Sequence, residues 1–254
     1  MYIKNHNLVS VQETAEPHSP QQSWSSSRCS QCLRRSEWVE QTIAEMAQDA
    51  TPGQGAHPLQ LALEVQSAMD EKDWLVIDGG NTHFWSEIAV NLAGWRGQKL
   101  AGILHPGAFS MLGVGVSFAL AAKLHHPDSH AVVISGDGAF LSGGLSIEAA
   151  FQENAPITVV IDNNGGLTTI SQQQERLFAN GSHVATDFRD IPFHTVFEGL
   201  GGHGELVEDP KEIAPAVRRA LASGRTACVN VRTRGVISPI VAAVTSKRDK
   251  ASIE

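Results

Sequence analysis

Two short segments hold the residue types that could do chemistry. Ser135-Gly136-Asp137-Gly138-Ala139-Phe140 follows an apolar run and sets one carboxylate between two glycines. Asn163-Asn164-Gly165-Gly166 follows a second apolar run, and 27 positions separate Asp137 from Asn164. Glycines let backbone N–H groups approach an anion closely, and a helix that follows adds the positive end of its dipole. A carboxylate, an amide oxygen and a glycine carbonyl are hard oxygen donors. Such a set suits Mg2+, which keeps octahedral geometry and completes its shell with phosphate oxygens and water.

The elements that must position these residues alternate. Strands are expected at Trp74–Asp78, near Leu100–Ile103, at Ala131–Ser135, Ile157–Asp162, Gly204–Val207 and Ala227–Arg232. Helices are expected at His57–Met69, around Phe84–Asn91, at Leu112–His125, within Leu145–Asn154, at Ile191–Leu200 and at Asp209–Ser223. Several of the strands are apolar throughout, which indicates an α/β protein with a parallel sheet covered on both faces. Right-handed crossovers then gather the strand C-termini at one edge, where ligands of open α/β sheets bind. Asp78-Gly79-Gly80-Asn81, Gly136-Asp137-Gly138 and Asp162-Asn163-Asn164-Gly165-Gly166 punctuate that edge. The interval from Asp137 to Asn164 fits one helix, one strand and two turns, so both come from neighbouring strand ends.

Around this unit the composition shifts. Residues 1–36 are rich in Ser, Gln and Pro and are expected to be disordered. Residues 37–57 read as a helix, opened by Ser36 and carrying Trp38, Val39, Ile43 and Met46, followed by a Gly/Pro linker. Residues 58–235 form the binding domain, and 236–254 a C-terminal tail. With 254 residues, 42% hydrophobic and 18% charged, the chain is neither wholly disordered nor a coiled coil. No apolar run reaches the roughly 18 residues of a membrane span, and no leader is visible, so the cytoplasm is expected. Nineteen Lys+Arg against 27 Asp+Glu give a net charge of −8, which disfavours nucleic acid without a basic stripe. Arg34-Arg35 and Lys247-Arg248 are too short for one. Cys29 and Cys32 form a C-x-x-C pair without two further ligands and read as incidental, while Cys228 reads as a core residue.

Gly-Asp-Gly, the interval of 27 residues and the Asn pair together resemble the cofactor motif of thiamine diphosphate enzymes. GDGAFLSGGLSIEAAFQENAPITVVIDNNGG is most similar to the acetolactate synthase-like group, which includes oxalyl-CoA decarboxylase and 2-hydroxyacyl-CoA lyases. HPGAFSMLGVGVSFALAAKLHHPDSHAVVISGDG before it and GGHGELVEDPKEIAPAVRRALASGRTACVNVR after it extend the likeness over about residues 37–240. The resemblance implies a three-layer αβα sandwich with a mostly parallel six-stranded sheet, the diphosphate-binding domain of the group. It implies that Asp137 and Asn164 bind Mg2+ through their side chains and Gly166 through its carbonyl. Gly138 and Ala139 would offer N–H groups to the diphosphate, and Gly80, Asn81 and Thr82 would contact it too. Gly136, Asn164 and Leu167 complete the cofactor contacts, and Leu112 falls where an apolar residue wedges the cofactor into a bent shape. The group usually has Glu where Ser146 stands and Tyr or Gln where Leu167 stands.

By the same resemblance the reaction is 2-keto acid decarboxylation or carboligation, or acyl-CoA cleavage, on a small 2-keto acid or acyl-CoA substrate. The Glu that activates the cofactor belongs to a pyrimidine-binding domain, so no catalytic residue is assigned to this chain. That domain is expected on a second chain or in a homo-oligomer. The alternative is a truncated, non-catalytic cofactor-binding or assembly module. A dinucleotide fingerprint at Gly113-x-Gly115 fails, because Phe118 stands at the third glycine position and Asp137 lies between glycines. Asp162 reads as a solvated turn residue, and His83, His105, His183 and His203 as loop histidines.

Overall fold

The computed structural model describes residues 55–178 and 181–242. The readings of residues 1–36, of the helix after Ser36, of Cys29 and Cys32 and of both basic clusters lie outside the described residues.

Six strands form one sheet: β1 (Trp74–Asp78), β2 (Gly102–Leu104), β3 (Ala131–Gly136), β4 (Thr158–Asn163), β5 (His203–Val207) and β6 (Ala227–Arg232). Their order is β2-β1-β3-β4-β6-β5. Every pairing is parallel, where a mostly parallel sheet was expected. The central strands explain this. β3 and β4 are buried along their whole length, which is possible only when helices cover both faces. Eight α-helices are found among the described residues: α1 (Pro58–Ser67), α2 (Asn81–Trp95), α3 (Gly115–His125), α4 (Asp137–Gly143), α5 (Glu148–Gln152), α6 (Thr168–Leu177), α7 (Phe193–Gly199) and α8 (Ile213–Ala222). No helix among the described residues is long and apolar enough to cross a membrane.

Strand side chains alternate between the faces. Val76, Val133, Val159 and Ile161 pack with Val116, Ala119 and Ala122 of α3, Phe140 of α4, and Phe193 and Phe197 of α7. Phe140 meets Phe193 edge-to-face, centroids 5.6 Å apart, a geometry that aromatic quadrupoles favour. That contact fastens α4, and with it Asp137, to the core. On the other face α1 packs against α2 and α8. α1 starts at Pro58, whose fixed φ suits a first turn, and the His57 Nδ1 accepts the Leu59 N–H at 3.1 Å.

Three elements differ from expectation. α3 begins at Gly115, so Leu112 stands on a turn before the helix. Gly113 has φ +87°, and the Asp78 carboxylate draws the N–H groups of Gly113 (3.1 Å) and Gly115 (2.9 Å) onto itself. α4 already starts at Asp137, where Gly-rich sequence gave no helical period. α6 was not foreseen, because TTISQQQERL carries too few apolar residues to mark a buried face. Gly115 must be glycine for α3 to lie this close, since a Cβ there would stand 2.8 Å from both Asp78 Cβ and Val133 Cγ1.

Burial pushes the Asp78 carboxyl above its ordinary range, while the N–H groups of Gly115 and Gly113 oppose that shift. Asp78→Ala leaves both amides without their acceptor. The expected cost is about 2–4 kcal/mol, read as a fall of roughly 5–15 °C in thermal midpoint. A midpoint within roughly 2 °C of wild type would show that the carboxylate does not hold the loop.

Candidate functional site

β1, β3 and β4 are consecutive in the sheet. The chain leaves β1 toward β2 on one side and leaves β3 toward β4 on the other. Opposite right-handed crossovers open a crevice between the C-terminal ends of β1 and β3. A cavity of about 280 Å3 lies there. Gly80, Asn81, Thr82, Leu112, Gly136, Asp137, Gly138, Ala139, Asn164, Gly166 and Leu167 all line it. The structure therefore brings together every site residue expected from sequence. It adds Gly79, Phe84, Ser110, Thr168, Thr169, Ile170 and Val241 to the lining.

Asp137 is 2% exposed. Its Oδ1 accepts the Gly138 N–H at 2.7 Å, and its Oδ2 accepts those of Gly165 (2.8 Å) and Gly166 (3.0 Å). Two successive amides can aim at one oxygen because Gly165 takes φ +80°, a conformation costly for other residues. Burial, and then the nearby Asp162, push the Asp137 carboxyl up to about 7, against the pull of these three amides.

Asp162 is no solvated turn residue. It has no solvent exposure, because β4 runs on to Asn163 and carries it beneath the cavity floor. Its Oδ2 accepts the Thr82 hydroxyl at 2.7 Å, and its Oδ1 accepts that of Thr233. Burial raises this carboxyl too, and the two hydroxyls counter the shift.

The remaining residues divide by what their side chains do. Asn164 Oδ1 accepts the Thr168 hydroxyl at 2.8 Å, and the Gly166 carbonyl accepts the Thr168 N–H at 3.0 Å. Asn81 is committed: its Nδ2 donates to the Val236 carbonyl at 2.5 Å and its Oδ1 accepts the Ser238 N–H at 2.7 Å. Trp85 Nε1 donates to the same carbonyl at 2.8 Å. Residues 236–242 thus form a strap on α2, and Val241 reaches the cavity wall. Both Asn81 and Thr82 are thus occupied through their side chains. The Gly138 N–H is engaged by Asp137 itself. A Cβ on Gly138 would stand 2.4 Å from Leu167 Cδ2, so the absent side chain leaves room for Leu167.

Thr168 and Thr169 follow the Asn-Asn-Gly-Gly turn one residue on, after Leu167, and could have been found there. Val241 could not, since residues 236–254 show no period. Of the histidines, His83 is buried in α2 and His203 starts β5, where loops were expected.

The donors fit Mg2+ and a diphosphate. One buried carboxylate, an amide oxygen and a glycine carbonyl line one edge, and a cation would offset the desolvation that raises the Asp137 carboxyl.

The family described as "Thiamine pyrophosphate enzyme, C-terminal TPP binding domain" matches residues 78–231. The acetolactate synthase large subunit of Mycobacterium tuberculosis is 35% identical over 192 residues, 75% of this chain and 33% of that protein. Human 2-hydroxyacyl-CoA lyase 2 is 34% identical over 174 residues, 68% of this chain and 26% of that one. A thiamine diphosphate-dependent 4-hydroxybenzoylformate decarboxylase from Rhodococcus jostii superposes with a TM-score of 0.61 at 25% identity, covering 74% of this chain and 34% of that one. The chain thus spans between about a quarter and a third of the length of these relatives.

The Thr82–Asp162 bond yields a test. Thr82→Val keeps the shape but withdraws a donor from a buried carboxylate, and should cost about 1–3 kcal/mol. Thr82→Ser keeps the hydroxyl and should retain most of that stability. Equal denaturation midpoints for Val and Ser would refute the role of the hydroxyl.

Proposed function

The chain belongs to the thiamine pyrophosphate enzymes as their C-terminal TPP-binding domain, and on that premise we propose that it binds thiamine diphosphate through Mg2+ at the Asp137–Asn164 edge. The observation that carries this reading is the buried Asp137 carboxylate, aimed at a cavity lined by oxygen donors and glycine backbone. Asp137, Asn164 and the Gly166 carbonyl hold the metal. Gly80, Asn81, Thr82, Gly136 and Ala139 present backbone to the diphosphate, Gly138, its N–H engaged by Asp137, leaves room for Leu167, and Leu112, on its turn, meets the rest of the cofactor together with Leu167.

Thiamine diphosphate, when bound, supplies a thiazolium carbon nucleophile and an electron sink for breaking a bond beside a carbonyl. The residues here bind, orient and exclude water. Among the described residues Asp137 is the one carboxylate lining the cavity, and as a metal ligand it would not be free to protonate a pyrimidine ring. A positioned acid typically contributes about 10²–10⁴-fold. We therefore assign that group to a pyrimidine-binding domain on another chain. Large apolar side chains left exposed support this, with Phe109 93% exposed, Met111 61% and Leu145 78%, since exposed apolar surface can mark an association face. The substrate class is a small 2-keto acid or an acyl-CoA, as in acetolactate synthase-like enzymes.

Calorimetry should show thiamine diphosphate binding that requires Mg2+ and that Asp137→Ala weakens at least about tenfold, or about 1.4 kcal/mol. Equal binding by both proteins would remove the site assignment. The purified chain should turn over neither pyruvate nor oxalyl-CoA until a pyrimidine-domain protein is added. Binding without turnover in any such mixture would favour the non-catalytic module, and robust turnover by the chain alone would place the acid within it.

A further inference from the structure

A second group of ligating side chains gathers where α2 faces the segment after β2. His83 and Glu87 stand four residues apart and so share one face of α2. His105 follows β2. One donor atom from each of the three lies within 4.8 Å of the other two. His83 Nε2 is 2.8 Å from Glu87 Oε1, and the rings of His83 and His105 meet edge-on with centroids 5.3 Å apart. None of the three lines the strand-end cavity.

The state of His83 points to a ligand. The residue is 6% exposed, yet its Nδ1 has no hydrogen-bond partner among the described residues. A histidine buried only for packing has its ring nitrogens satisfied, and leaving one unpaired costs about 1–3 kcal/mol. His105 is exposed and Glu87 partly so, which leaves a path from solvent and freedom to adjust around the fixed His83 ring. His105 Nδ1 accepts the Gly107 N–H at 3.2 Å, long and exposed, a contact that can yield when the ring coordinates.

We propose that His83, Glu87 and His105 form a site for a divalent transition-metal ion of the Zn2+ class, separate from the Mg2+ edge. Two imidazoles and one carboxylate suit Zn2+, Co2+ or Ni2+, with water in the fourth position, and do not suit Mg2+. Coordination satisfies the unpaired His83 Nδ1, and any proton on a coordinating imidazole nitrogen leaves to solvent. The ion ties α2, which bears Asn81 and Thr82, to the loop that bears Ser110 and Leu112. Its occupancy stiffens the mouth of the cavity and does not depend on the reading of the cavity itself.

The test uses the full chain with Cys29→Ser and Cys32→Ser, so that those thiols cannot compete, in excess Mg2+. Co2+ is the probe, read by its visible ligand-field absorption and by displacement with Zn2+. One site of micromolar or tighter affinity, with four- or five-coordinate intensity, is expected. His105→Ala lies on an exposed loop and should fold; it and Glu87→Gln should each weaken Co2+ at least about tenfold. His125→Ala should leave the affinity unchanged. Millimolar binding, or equal affinity in the parent, His105→Ala and Glu87→Gln, would overturn the proposal.

Discussion

Two carboxyl groups, Asp137 and Asp162, are buried at adjacent strand ends, and Asp162 makes Asp137 harder to ionise. Burying charge in a low-dielectric interior is expensive unless donors or a counter-ion answer it. The chain answers with backbone amides for Asp137 and hydroxyls for Asp162. That answer dictates much of the local sequence. Gly165 must reach positive φ for its amide and that of Gly166 to converge on one oxygen. Thr82 and Thr233 must bring hydroxyls from two different elements to one buried carboxylate. The amides and hydroxyls lower both carboxyls without fully offsetting burial, so the pair still lacks positive charge. A divalent cation would supply it.

The sheet order supplies the place for that charge. Strand ends on either side of a topological switch point are not covered by their own crossovers, so three Gly-rich turns can converge over one crevice. Tight packing then keeps the crevice narrow. A Cβ on Gly143 would lie 2.1 Å from the Gly113 carbonyl oxygen, so α4 touches the Leu112 turn backbone to backbone. Asp78 pulls the same turn from below through the amides of Gly113 and Gly115. The strap at 236–238 closes the far side through Asn81. The Leu112 turn is thus held by two contacts, neither of which involves the Leu112 side chain.

Much of this was legible in the residue pattern. Apolar β-branched runs mark β3, β4 and β6 without ambiguity, because a buried parallel strand has no polar face to blur it. Asp137 and Asn164 were legible because strand ends are punctuated by glycine and their interval matches one crossover. What escaped has physical causes. α6 is polar on most of its surface, and helix periodicity appears in sequence only where one face is buried. Asp162 looked like a turn residue because nothing in a linear string reveals the hydroxyls of Thr82 and Thr233 that fold over it. Asn81 looked like a ligand contact, yet its amide is engaged by a segment 155 residues away. A long-range backbone bond of that kind leaves no local signal.

His83 shows how one turn of helix can serve two unlike environments. Asn81 and Thr82 open α2 with their side chains committed to backbone and carboxylate oxygen, and one residue later an imidazole turns toward Glu87. The strand-end cavity gathers oxygen donors alone, whereas the His83 cluster is mainly nitrogen. Donor hardness and preferred geometry sort divalent ions more reliably than affinity does, since most transition metals would outbid Mg2+ at any nitrogen site. Keeping imidazole out of the cavity lining protects the oxygen edge from such competition. Confining imidazole to the outer side of α2 lets a second kind of ion act on the same helix and loop without entering the cavity.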